Sequence, residues 1–188
     1  MDALLPTFLA AFIAEWGDRT QLLAMMLALR FNGSPRVLVG IAAAAIVNGL
    51  VSAYFGSLIA DYVNFRAFTL LTALALAFAG GGMFLTPEPP KLATYGTDSA
   101  LIASFLGFAI LSFGDKTQFV TMAFAARTDS MLLAGLGAAG GIILANAPAV
   151  LLGSRMPEVI PMRIFRIGGG VLLLIAASIG AISALQLA

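Results

Sequence analysis

Nearly all of this chain falls into six apolar stretches of membrane-spanning length: Leu4–Leu29, Val37–Ile59, Ala67–Leu85, Ala100–Ala126, Met131–Leu152 and Ile167–Leu187. A helix needs about 20 predominantly apolar residues to cross a hydrocarbon core about 30 Å thick. The breaks carry turn chemistry, as in Asn32-Gly33-Ser34-Pro35, Asp61 to Arg66, Thr86-Pro87-Glu88-Pro89-Pro90, Arg127 to Ser130 and Met156-Pro157 to Pro161. No stretch remains for a soluble domain, so an all-α membrane protein of six transmembrane helices is expected. Composition agrees: 61% of residues are hydrophobic and 10% charged, against about 45–50% and about 25% in soluble domains. A formal net charge of +1 provides no field for nucleic acid; the expected partner is the lipid bilayer, with the oligomeric state, a homo-oligomer included, left open.

Cysteine and histidine are both absent. Disulfides, thiol or imidazole catalysis and soft-ligand metal sites are thereby excluded, so any metal chemistry must use oxygen. The first apolar run has no Lys or Arg before it, and Glu15 interrupts it. That is wrong for a cleaved signal peptide, and the segment reads as a retained span.

The chain repeats itself. At an offset of 97, Glu15–Arg30 aligns with Ser112–Arg127 with seven of sixteen positions identical, and the register continues through Gly40/Gly137, Gly56/Gly153 and Arg66/Arg163. Asn48 and Asn146 lie one position out of step. The expected organisation is a three-helix repeat over residues 1–86, a linker over 87–99 and a second repeat over 100–188. Three spans per repeat end on the opposite side of the membrane, so the second must be inverted relative to the first, an architecture of secondary transporters with sites near the midplane. Arg30, Arg36, Lys91, Arg155, Arg163 and Arg166 fall on one side, and only Arg66 and Arg127 on the other. The positive-inside rule then makes the Lys91 loop cytoplasmic and puts both termini outside.

Five of the nineteen charged residues sit mid-membrane, in Glu15-Trp16-Gly17-Asp18-Arg19-Thr20-Gln21 and Ser112-Phe113-Gly114-Asp115-Lys116-Thr117-Gln118. A charge at the centre of a spanning helix costs about 2.5–3.5 kcal/mol on insertion scales, so such residues face a cavity or a partner and mark ion or proton paths. On continuous helices, Glu15, Asp18 and Gln21 would share one stripe, and Ser112, Asp115 and Gln118 its counterpart. Carboxylates, hydroxyls and amides suit calcium, magnesium or manganese. Arg19 and Lys116 read as counter-charges or props; Asp18–Lys116 or Asp115–Arg19 pairing would bind the bundle. Thr20, Thr117, Gln21, Gln118 and Ser112 are weaker ligands, equally suited to bonding between helices. Asn48 and Asn146 read first as interhelical contacts, Met25 and Met122 as packing. Gly17 and Gly114 precede each aspartate, where a residue without a side chain loosens the helix.

Two copies of Glu-x-Gly-Asp-(Lys/Arg)-(Thr/Ser) in a duplicated six-helix chain resemble the small calcium/manganese:proton antiporters of uncharacterised protein family 0016. The likeness covers essentially the whole chain, with one departure: Ser112 stands where the family pattern has Glu. The resemblance implies a bacterial inner-membrane transporter without a cofactor, exporting a divalent cation, Mn2+ or Ca2+, in exchange for protons. Glu15, Asp18, Thr20, Asp115 and Thr117 would form its site. Two rivals follow from the same residues. One is a transporter of small organic or amino-acid substrates, since paired acidic and basic groups suit a zwitterion. The other is an intramembrane aspartyl protease of the Gly-x-Gly-Asp type, although neither motif has the first Gly.

Overall fold

The computed structural model describes residues 2–90 and 97–185. These are helical, joined by turns and 3-10 segments, with no strand among the described residues: α1 (Leu4–Glu15), α2 (Arg19–Arg30), α3 (Pro35–Leu58), α4 (Phe65–Gly82), α5 (Ala100–Leu111), α6 (Lys116–Thr128), α7 (Met131–Leu152), α8 (Met156–Val159) and α9 (Met162–Leu185). Local chemistry sets the ends. Asn32 and Gly33 take positive φ to close α2, Gly33 N–H donating to Ala28 O at 2.7 Å, and Pro35 starts α3 where its missing N–H is harmless. The Asn64 side chain caps α4 by accepting from Ala67 N–H at 2.9 Å.

Two of the six expected helices are each broken. The Leu4–Leu29 stretch becomes α1 and α2, and Ala100–Ala126 becomes α5 and α6, with α5 and α6 bent by 73°. Four unbroken helical segments, Pro35–Tyr62, Phe65–Gly82, Met131–Val159 and Met162–Leu185, are long and apolar enough to cross a membrane, and the bent α5–α6 pair makes a fifth candidate. The last begins five residues before the expected Ile167, which brings Arg163 and Arg166 inside α9. Lys91, on which the cytoplasmic assignment leaned, lies outside the described residues.

Helices α3 and α7 form the centre and nearly touch: a Cβ on Gly49 would stand 2.7 Å from Gly135 O. Small residues permit such close approach between membrane helices. α1 packs on α7 where Gly137 meets Leu4 O, and α5 packs on α3 where Gly40 meets Leu101 O. Gly40 and Gly137 differ by 97, as do Leu4 and Leu101, so one contact is the copy of the other. Outside this core, α4 and α9 cross at Gly80 and Gly170.

Candidate metal centre between two broken helices

Gly17 (φ 71°) and Gly114 (φ 75°) take the left-handed conformation that other L-residues avoid, and this turns the chain out of α1 and α5. Asp18 and Asp115 follow in extended conformation as the N-cap residues of α2 and α6. Four residues on, a glutamine holds each break closed. Gln21 Oε1 accepts from Gly17 N–H and Gln118 Oε1 from Gly114 N–H, both at 2.8 Å. Non-helical backbone survives at membrane depth where it is buried in protein or lines a water-filled cavity.

The break abolishes the expected helical stripe, because Glu15 ends one helix and Asp18 precedes the next. The carboxylates nevertheless converge. One oxygen from each of Glu15, Asp18 and Asp115 lies within 4.8 Å of the other two. Oxygens sharing an ion at bond lengths of about 2.0–2.6 Å stand no more than about 4–5 Å apart. Asp18 and Asp115 also sit at two helix N-termini, whose partial positive charge favours an anion.

Glu15 is buried and fully engaged. Thr20 Oγ1 donates to its Oε2 at 2.5 Å, Thr117 Oγ1 to its Oε1 at 2.8 Å, and Asn146 Nδ2 to its Oε2 at 3.4 Å. Lys116 pairs with Asp18 of the other motif and stands 4.0 Å from Asp115 Oδ1. The crosswise ion pair is therefore Asp18–Lys116, whereas Arg19 is exposed and forms no ion pair among the described residues. Gln21 is drawn away from the carboxylates, its Nε2 donating to Ala145 O at 2.6 Å. Ser112 is buried beside Asp115 with its hydroxyl unpartnered. Asn146, expected as an interhelical contact, thus joins the site as a donor to Glu15, and its near match to Asn48 at the repeat offset is the signal in the sequence that marks it.

The two breaks match in backbone but differ in surroundings. Trp16 is 9% exposed, stacked on Phe165 with ring centroids 4.8 Å apart and edge-on to Phe12 at 5.8 Å. Arg166 presses its methylenes against Gly17, where an added Cβ would stand 3.3 Å from Arg166 Cδ. Phe113, the counterpart of Trp16, is 78% exposed. A cavity of about 200 Å³ opens there onto Asp18, Arg19, Thr20, Gly114 and Asp115. A larger, apolar cavity of about 370 Å³ between α4 and α6 is lined by no charged side chain.

Comparison with known proteins bears on these features. Residues 3–89 and 100–187 match the family described as divalent cation/proton antiporter GDT1. A protein of Vibrio cholerae serotype O1 described as a "putative manganese exporter" is 28% identical over 178 residues, which cover 94% of this chain and 89% of that protein. No solved structure matches.

Proposed function

From the premise that the chain belongs to the divalent cation/proton antiporter GDT1 family, we propose that it exports Mn2+, with Ca2+ as a second candidate, in exchange for protons. Membership makes it a multi-pass membrane transporter rather than an enzyme, and the protease reading falls with it. The observation that carries the proposal is the convergence of Glu15, Asp18 and Asp115 at paired helix breaks. When ionised, three carboxylates against Lys116 leave two negative charges, which a divalent cation neutralises and two protons neutralise equally. Thr20 and Thr117 orient Glu15; Gln21 and Gln118 hold the breaks; Lys116 releases Asp18 as the cation arrives. Arg19, at the mouth of the cavity, is a counter-charge in the water path. The cation is substrate, and no resident cofactor is proposed.

We read the architecture as six spans, α1–α2 being the sixth, in two inverted repeats over 1–86 and 100–188 joined by a linker over 87–99. Support comes from the exchanged contacts Gly40–Leu101 and Gly137–Leu4. Termini outside and a cytoplasmic Lys91 loop, in a bacterial inner membrane, complete this reading. Its support is that Arg30 ends α2 beside the Gly153–Arg155 turn, while Arg127 ends α6 over the ring of Phe65. The elements that carry basic groups assigned to one side are thus in contact.

Alternating access is the mechanism this arrangement suits. Trp16, Phe165 and Arg166 cover one break while the other faces a cavity, and exchanging the two environments would move access across the membrane. A thermal-unfolding screen tests the substrate class, since only a ligand of the folded state raises its stability. Mn2+ is expected to raise the midpoint of the wild type and not of Asp115→Asn. Stabilisation by an amino acid in place of Mn2+ would establish the organic-substrate rival.

A further inference from the structure

The two motifs begin differently, with Glu15 in one half and Ser112 in the other. The neighbourhood of Ser112 differs too. A cavity of about 10 Å³ lies against Ser112, Asp115, Asn48, Ser52 and Thr121, and Glu15 also lines it. Stepping through the repeat by 97 residues converts Thr121 to Ala24 and Ser52 to Ala149. The extra hydroxyls, Thr121 from the second repeat and Ser52 from α3 of the first, therefore line the neighbourhood of Ser112 and have no counterpart at the repeat-related positions.

Ser52 and Thr121 donate their protons to carbonyls one turn back, Asn48 O at 2.8 Å and Thr117 O at 2.7 Å. Their oxygen lone pairs remain as acceptors at the cavity wall. Ser112 is 7% exposed, and its Oγ, like Asp115 Oδ2, is buried without a hydrogen-bond partner. A water molecule needs about one probe sphere of room and two to four polar partners, and both conditions are met.

We propose that this chamber is a hydration subsite: Ser112, with Asn48, Ser52 and Thr121, holds one of the cation's own waters where the first half places the Glu15 carboxylate. Hard divalent cations commonly retain water when protein supplies few carboxylates. The second half thus contributes a neutral, water-mediated ligand in place of a charged direct one. The inference rests on the carboxylate site proposed above.

The test is pulsed electron–nuclear double resonance on the purified, Mn2+-loaded protein in 17O-enriched water, which counts exchangeable oxygens on the ion. Wild type should show at least one bound water, and Ser112→Glu should lower the count by one. Should that variant fail to fold, the Ser52→Ala/Thr121→Ala double change, which installs the alanines of the repeat-related positions Ala149 and Ala24 without new charge, is read the same way. An unchanged count in the variant, or no bound water in wild type, overturns the inference. Failure of wild type to bind Mn2+, or equal binding by Asp115→Asn, removes the carboxylate site itself and the inference with it.

Discussion

Thr117 of the second motif donates to Glu15 of the first at 2.8 Å, across 102 residues of chain. Thr20, the matching residue of the first motif, donates to the other oxygen of the same carboxylate. Glu15 is therefore held by both motifs, and a hydrogen bond to a charged group contributes about 1.5–3 kcal/mol. Thr117→Ala should lower the unfolding midpoint and weaken Mn2+ binding, whereas Thr117→Ser should restore both. Calorimetry on the three proteins checks this; a serine variant as impaired as the alanine one would show that packing of the methyl group matters instead.

The Lys116–Asp18 pair links the two motifs in the same sense, a second-motif donor on a first-motif carboxylate. Removing one partner of a buried pair costs about 3–5 kcal/mol, because the other charge is left alone. Asp18 is 17% exposed at its side chain, so solvent screening places Lys116→Gln at or below the low end. In the absence of divalent ion this variant should be less stable than wild type. With Mn2+ present the gap should close, since the cation takes over the role of the ammonium. Thermal unfolding with and without Mn2+ measures the difference of differences.

The breaks themselves are testable at their glycines. A non-glycine residue in the left-handed region costs about 1–2 kcal/mol. An added Cβ on Gly114 meets nothing within 4 Å, but on Gly17 it stands 3.3 Å from Arg166 Cδ. Gly17→Ala should accordingly be the more damaging of the two, with Gly17→Ala/Arg166→Ala recovering part of the loss. Equal unfolding midpoints for the two single variants would contradict the closed packing around Trp16.

Proton competition fixes the sign of a pH effect. Carboxylates ligate a metal only when deprotonated, so binding the cation displaces protons. Apparent Mn2+ affinity should fall as pH is lowered, by up to about a hundredfold per pH unit where two protons are displaced. Equilibrium titrations at several pH values give the slope, and a pH-independent affinity would separate cation binding from protonation of this site.

Much of this was legible in the sequence. Matched charged motifs at an offset of 97 identified Glu15, Asp18 and Asp115, and the odd number of spans per repeat suggested inversion. The helix breaks were not legible as breaks, since apolar runs continue through Trp16-Gly17 and Phe113-Gly114 without proline. Only the position of each glycine before its aspartate hinted at them. Placing Gln21 and Gln118 with the ligands followed from a continuous helix; a left-handed glycine redirects the chain and leaves each glutamine facing the amide four residues back. The contrast between buried Trp16 and exposed Phe113 could not be read at all. Trp16 is covered by Phe165 of α9, a docking that the partial match between the repeats leaves undetermined.

The central claim is that one carboxylate site carries either a divalent cation or protons. Mn2+ flux and internal pH should be recorded together in proteoliposomes under an imposed pH gradient, for wild type, Asp18→Asn and Asp115→Asn. The account predicts Mn2+ movement opposite to the proton gradient, a matching pH change when Mn2+ is supplied, and loss of both signals in each variant. Mn2+ flux that ignores the pH gradient, or that survives in Asp115→Asn, would contradict it.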